Sequence, residues 1–412
     1  MEERIVITGM GTVNPLGLSV AETWKNVVNG VSGVAPITLF DSSGWNVKIA
    51  CEVKNFDPAQ FMDAKEARRR DRFEQFGVAA AREALLASGL EITDANSGRI
   101  GVVVSSAIGG LKSVQDAIFT LKDEGARRVS PLLIPMLMPN GASGMIGIEF
   151  GLRGPSFSVA SACASGADGL GMAWLMLRAG MVDVVVAGAA ESVACETGVG
   201  AFDRIGAMSR RNDDYSMTPQ PFDRNRDGLV IGEGAAVLVL ERESYARARG
   251  ANILAELAGY AASADAHHVT APLEDGSGGA NAIRGALASA GVNADEVGYI
   301  SAHGTGTQLN DASETQAVKA AFGQLAYKTP ISSTKSMTGH MMGATGALEA
   351  LFCVQAIRDG VLPPTIHYET PDPACDLDYI PNKAREKKIK VAISNAFGFG
   401  GHNTVLVIRE YR

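Results

Sequence analysis

The chain has 412 residues, 46% of them hydrophobic and 20% charged, with a formal net charge of -8. That length buries a large core and suits two domains or one double-sized unit, while the acidic balance argues against a nucleic-acid binder. Five cysteines at irregular spacing, with no Cys-x-x-Cys pair, suit a reducing compartment and argue against a disulfide framework or a structural zinc site.

The chain opens on Arg4-Ile5-Val6-Ile7-Thr8, read as a strand that leaves no room for a targeting peptide, and no apolar run is long enough to span a bilayer. A soluble, cytoplasmic α/β protein with no membrane contact is therefore expected. In Gly9-Met10-Gly11, Asn14 stands where a dinucleotide fingerprint needs its third glycine, so a plain tight turn is expected. Further strand-like runs fall at 100–105, 182–187, 235–241, 299–302, 391–395 and 404–409, separated by helical segments. Such alternation favours layered sheets covered by helices. A basic cluster of Lys65, Arg68, Arg69, Arg70 and Arg72 interrupts the acidic chain, and Arg127-Arg128 adds another. A charge run of this kind is ordinarily a solvated helix face.

Ser156-Phe157-Ser158-Val159-Ala160 reads as a short buried strand, and Ser161-Ala162-Cys163-Ala164-Ser165-Gly166 as a tight turn entering an almost uncharged helix. A thiol at a helix N-terminus meets unpaired N–H groups and the positive dipole end, which stabilise a thiolate and an adjacent oxyanion. Cys163 is thus a candidate nucleophile. Cys51, Cys195, Cys353 and Cys375 read as small core residues.

An internal repeat runs through the chain. Ala84-Leu85-Leu86-Ala87-Ser88-Gly89 precedes the strand at 100–105, and Ala286-Leu287-Ala288-Ser289-Ala290-Gly291 precedes the strand at 299–302. The helix opening Gly166-Ala167 and ending Arg178-Ala179-Gly180 is matched by Gly346-Ala347 through Arg358-Asp359-Gly360. Two similar halves, 1–250 and 251–412, are expected to join near Arg249-Gly250. Over 166–177 the only charge is Asp168, and over 343–357 it is Glu349. Helices apolar on every side are buried ones, so both should lie between the sheets, with Cys163 facing a deep site.

Three glycine-rich loops follow strand-like runs: Ala302-His303-Gly304-Thr305-Gly306-Thr307, Lys335-Ser336-Met337-Thr338-Gly339-His340, and the stretch 395–403 with Phe397-Gly398-Phe399-Gly400-Gly401. Ligand sites in α/β sheets gather at the carboxyl ends of strands, so the three loops can converge on one crevice. His303 and His340 are candidates for chemistry there, whereas His267, His367 and His402 read as hydrogen-bonded structural residues. No carboxylate or thiol lies at ligand spacing from His303 and His340, so neither a metal nor a cofactor is expected. The absence of Gly-x-Ser-x-Gly disfavours a serine hydrolase.

Taken together, Cys163, His303, His340, Lys335 and the Gly-Phe-Gly-Gly run resemble the β-ketoacyl-[acyl-carrier-protein] synthases, most of all the type II elongating enzyme of bacterial fatty-acid synthesis. The likeness covers essentially the whole chain and includes Pro221-Phe222-Asp223 with Arg226-Asp227-Gly228. The resemblance implies a thiolase-like five-layered αβαβα fold of two duplicated halves, a homodimer, and acyl carrier protein as partner. It implies that Cys163 takes the acyl chain as a thioester, with the N–H groups of Cys163 and Phe399 as oxyanion hole and Phe399 as gate. His303 and His340 would hold malonyl-carrier through decarboxylation, with Lys335 tuning the site. Thr270, Thr305 and Thr307 would bind pantetheine, Ile108 and Phe202 would line the acyl pocket, and Asp311 and Glu349 would support the site or serve only as structural ion-pair partners. Lys65, Arg68, Arg69, Arg127 and Arg128 would dock the acidic carrier.

His402 departs from the threonine common in that family. Phe397 and Phe399 stand where a thiolase carries Cys-x-Gly, and His340 replaces the asparagine of starter-unit synthases. A type II polyketide ketosynthase subunit remains open on the same residues. A non-catalytic chain-length-determining partner also remains, although intact Cys163 counts against it.

Overall fold

Ten strands pair into one continuous mixed sheet within residues 3–412, the part of the chain described by a computed structural model. The first five are β1 (Ile5–Val13), β2 (Ile100–Ser105), β3 (Ser156–Phe157), β4 (Val184–Glu191) and β5 (Gly234–Arg242). The second five are β6 (Ala255–Ala264), β7 (Tyr299–Ser301), β8 (Ile331–Ser332), β9 (Val391–Gly398) and β10 (His402–Arg409). In space the first set runs β3-β2-β4-β5-β1 and the second β8-β7-β9-β10-β6. Each set therefore orders its own strands third, second, fourth, fifth, first. The pairings match too: β1/β5 and β5/β4 are antiparallel and β4/β2 and β2/β3 parallel, as are their counterparts in the second set. The sets join where β1 meets β6, at Val6–Glu256 and Ile7–Ala255.

Alternation along the strands creates five layers, because successive side chains leave a strand on opposite faces. Val102 and Val104 join one core cluster with the Arg72–Ser88 and Gly141–Phe150 helices, whereas Val103 joins the central one. The central cluster is filled by the Ser165–Arg178 and Thr345–Asp359 helices between the two sets of strands. Ile300, Ile393, Val405 and Val407 face the opposite way, onto the Ser277–Ala290 and Gln308–Phe322 helices. The two central helices are buried on nearly every side, as their lack of charge requires. The paired hexapeptides end equivalent outer helices, each stopped by a left-handed glycine, Gly89 at φ 61° and Gly291 at φ 62°.

Two local expectations change. Gly9-Met10-Gly11 is not a turn but lies inside β1. A Cβ on Gly9 would sit 2.1 Å from the Ala84 carbonyl oxygen, and one on Gly11 2.0 Å from that of Ala80. The glycines thus serve the close approach of the Arg72–Ser88 helix to the strand. The predicted buried strand at 156–160 shortens to β3, the end strand of the sheet, with Ser156 exposed and Phe157 half-buried. No helix among the described residues is long and apolar enough to cross a membrane.

Candidate active site

Cys163 is buried two residues before the Ser165–Arg178 helix, on a turn held from several sides. Ala162 adopts φ 51°, a left-handed conformation that costs an alanine energy and persists only under such restraint. The Ser165 hydroxyl donates to the Ala162 carbonyl at 2.7 Å and accepts from the Ser161 N–H at 2.9 Å. The Ser161 hydroxyl donates to Asp168, which also accepts from Tyr260 Oη at 2.8 Å and Thr404 Oγ1 at 2.7 Å. Gly398 lies against this turn: a Cβ there would meet the Ser161 carbonyl oxygen at 2.9 Å and the Cys163 nitrogen at 3.1 Å. The missing side chain lets the β9–β10 hairpin bring the Phe399 N–H to the Cys163 sulfur, which the N–H of Cys163 itself also faces.

Cys163, His303 and His340 line one cavity of about 300 Å³, together with Phe202, Thr270, Thr305, Thr307 and Phe399. The two imidazoles meet edge to face with centroids 5.3 Å apart. His340 Nδ1 lies 3.2 Å from Thr345 Oγ1, and His303 Nδ1 is buried without a hydrogen-bond partner among the described residues. Glu314 fixes the first histidine loop by accepting from the N–H groups of His303 at 2.8 Å and Gly304 at 2.7 Å. Asp311, one helical turn earlier, accepts from Thr305 N–H at 3.0 Å and Phe222 N–H at 2.8 Å. The Phe202 and Phe399 rings stack with centroids 6.4 Å apart at the cavity wall.

Burial pushes both imidazoles well below the usual histidine range, and the Lys335 charge pushes them further. Both rings are therefore neutral at pH 7, each with one N–H to donate. Lys335 is itself buried and bound to Glu349 at 2.6 Å. Burial raises Glu349 to about 7, against the pull of Lys335. Burial also pushes the Cys163 thiol up to about 11, opposed by Lys335 and the Phe399 N–H. The resting group is thus a thiol rather than the preformed thiolate that a helix start suggests. Alkylation of Cys163 by iodoacetamide is expected to quicken about tenfold per pH unit between about pH 7 and about pH 10, because only the thiolate reacts. Mass spectrometry of the Cys163 peptide reads this rate, and a plateau below about pH 9 would contradict it.

A model of the beta-ketoacyl synthase N-terminal domain matches residues 2–246, and one of the C-terminal domain matches 254–369. The chain belongs to the β-ketoacyl synthase family. It is 45% identical over 409 residues to a 3-oxoacyl-[acyl-carrier-protein] synthase 2 of Staphylococcus aureus, covering 99% of both chains. Among solved structures it is similar to the ishigamide ketosynthase/chain length factor, with a TM-score of 0.94 and 36% identity over the whole of both chains. It is also similar, with a TM-score of 0.91 and 34% identity over the whole of both chains, to a structure described as a type II PKS acyl-carrier protein in complex with its ketosynthase bound to the hexaketide. The thiolase-like layering of these structures is the fold described above.

Not every residue named from the ketosynthase resemblance reaches the cavity. Ile108 is exposed and outside it. Lys335, Asp311 and Glu349 are buried behind its wall. The basic cluster divides: Lys65, Arg68 and Arg69 are exposed, as are Arg127 and Arg128. Arg70 instead turns inward to Glu149 at 3.0 Å, and Arg72 to Glu233 at 2.6 Å, so neither belongs to the surface patch. Glu314 and Thr345 escaped the sequence reading, and Asp168 and Arg226 were noted there without a role at the site. Arg226 binds the carbonyl of Thr307 at 3.2 Å and that of Gln308 at 3.1 Å. Glu314 stands three residues after Asp311 on one helix, a spacing that puts both carboxylates on one face and offers the only local signal.

Proposed function

We propose that this ketosynthase elongates fatty acyl chains by two carbons, condensing acyl-carrier protein with malonyl-carrier protein to give 3-oxoacyl-carrier protein and carbon dioxide. The observation that carries this reading is one mostly apolar cavity holding a thiol, two neutral imidazoles and two backbone N–H groups aimed at the sulfur.

In the first half-reaction Cys163 Sγ attacks the acyl thioester carbonyl, and the N–H groups of Cys163 and Phe399 hold the tetrahedral oxyanion. The carrier thiolate leaves and takes up the proton that the Cys163 thiol gives. Malonyl-carrier then places its thioester oxygen against His303 and His340. In the tautomer that this mechanism uses, the Thr345 hydroxyl donates to His340 Nδ1 and the ring N–H is carried on Nε2. Departure of carbon dioxide leaves an enolate whose negative oxygen these donors stabilise. The carbanion attacks the acyl carbonyl, and collapse expels Cys163 thiolate, which takes a proton from solvent, the one proton that the overall condensation consumes. No strong base is needed, since decarboxylation creates the carbanion. Lys335 sharpens the site by keeping the imidazoles neutral. Thr270, Thr305 and Thr307 suit the pantetheine arm, Phe202 and Phe399 the acyl wall and its gate. Asp311, Glu314 and Glu349 hold the loops in place.

The nucleophile belongs to residues 1–250 and the histidine pair to 251–412, so each half supplies one part of the chemistry. Incubation with acyl- and malonyl-carrier protein, with product length read by mass, tests the reaction; release of a free acid or of unextended acyl chains only would overturn it. The polyketide alternative uses the same residues, and the 45% identity to a fatty-acid type enzyme favours the first reading.

The partner is acyl carrier protein, docking at Lys65, Arg68, Arg69, Arg127 and Arg128. Arg69 pairs with Glu66 at 2.8 Å and Arg128 with Glu124 at 3.6 Å, exposed pairs worth about 1 kcal/mol or less that leave the guanidinium groups available. Reversing Arg68, Arg69, Arg127 and Arg128 to glutamate is expected to weaken carrier binding by about tenfold or more at low salt. Unchanged affinity by titration calorimetry would rule this dock out. We place the enzyme in the cytoplasm and read it as a homodimer; the dimer is supported by the end position of β3 and by the exposed Ile118, Phe119, Leu121 and Ile134.

A further inference from the structure

Glu191 ends β4 with its side chain wholly buried, and the chemistry above does not use it. Its Oε1 accepts from Ser106 Oγ at 2.7 Å and from Ile108 N–H at 3.3 Å. Its Oε2 accepts from Ala107 N–H at 2.8 Å and from Gly343 N–H at 3.1 Å. Three of these donors follow β2 in the first half of the chain. The fourth lies in the second half, between His340 and the Thr345–Asp359 helix. No salt bridge to Glu191 forms among the described residues, so one carboxylate without a cation clamps two segments from opposite halves.

The two segments reach the cavity differently: the second lines it through Met342, and the first packs behind it. Leu111, which follows the first, packs on the apolar cluster that contains Cys163, Val199 and Met342. Met342, beside Gly343, lines the cavity itself. The clamp is tight: a Cβ on Gly343 would lie 2.7 Å from the Ala107 nitrogen and 2.8 Å from Glu191 Oε2. Only a carboxylate accepts on both oxygens. A glutamine cannot satisfy all four donors: with its carbonyl oxygen toward Ala107 and Gly343, its NH2 meets the Ile108 N–H and Ser106 must turn from donor to acceptor, which loosens the 106–108 end of the clamp.

We propose that Glu191 is a positioning residue that sets the depth of the acyl cavity by fixing the 106–111 segment against the Met342 turn. The proposal deepens the elongation reading and rests on it. Burial holds Glu191 itself up at about 7, so it is fully ionised only above that; ionised, its charge raises the Cys163 thiol, in opposition to Lys335, while His303 and His340 are neutral. Holding the cavity shape thus costs some thiol acidity.

The test is Glu191→Gln with two readouts. Elongation of acyl-carrier substrates of increasing length should change preference, by about threefold or more between short and long chains, a pocket change of the size one methylene gives. The pH profile of Cys163 alkylation should move down by about half a unit, making the variant about threefold faster at pH 8. Loosening of the structure alone would speed alkylation equally at every pH and leave the profile in place. Gly343→Ala parts the same segments but keeps the charge, so it should change chain-length preference with the thiol profile unmoved. If Glu191→Gln does not fold, Gly343→Ala carries the length test. Unchanged preference in the folded variants, or an unmoved profile in Glu191→Gln, overturns the proposal. Should the wild-type chain form no elongated product, the elongation reading fails, and the alkylation profile still judges the action of Glu191 on Cys163.

Discussion

Cys163→Ala is expected to abolish chain elongation, by on the order of 10⁴-fold or more, while carbon dioxide release from malonyl-carrier protein continues. The first effect follows because no other group in the cavity can hold an acyl chain: the remaining cysteines are buried in core positions. The second follows because the histidine pair is untouched and needs only the malonyl thioester to act on. Alanine is slightly smaller than cysteine and fits the same turn, so the variant should fold. Product analysis by mass, run beside a carbon dioxide assay, checks both halves. Elongation that survives the substitution would remove Cys163 from the mechanism.

His303→Ala and His340→Ala separate the two half-reactions in the opposite sense. Each should lower condensation by about 100- to 1,000-fold, the usual loss when one preorganised donor to a developing oxyanion is removed. Transfer of the acyl group onto Cys163 should persist, because its oxyanion is held by backbone N–H groups. The proposed mechanism uses the imidazoles as neutral donors, a state enforced by burial and Lys335, so asparagine, which keeps an N–H, should recover part of the activity. His303 is held by the Glu314 brace and His340 by Thr345, so losses through shape alone should be small. Quenched-flow measurement of acylation and condensation as separate steps decides this. Equal loss in both steps would mean the histidines serve acyl transfer as well.

Much of this architecture is legible in the sequence because it is local. Apolar runs mark the strands, the absence of charge marks the two central helices, and repeated hexapeptides mark the duplication. Cys163, His303 and His340 stand out because each sits at an element boundary beside small residues. What stayed hidden depends on partners far along the chain. Arg72 looks like a surface charge until Glu233, 161 residues away, claims it. Glu191 ends an apolar strand without distinction, and its meaning comes from Gly343, 152 residues on. Asp168 likewise needs Thr404, 236 residues away. The resting state of Cys163 is also nonlocal. The helix start favours a thiolate, but burial by both halves outweighs it and raises the thiol to about 11. Gly9 and Gly11 misled because glycines directly after an apolar run suggest a turn, whereas these two make room for a helix packed across the strand.

The most direct test follows the acyl group itself. The protein is incubated with acyl-carrier protein alone, digested, and the Cys163 peptide weighed; malonyl-carrier protein is then added and the peptide weighed again. A thioester adduct on Cys163 that disappears on the second addition, as a product two carbons longer appears, is the predicted result. An adduct on another residue, or one that malonyl-carrier protein does not discharge, would contradict it.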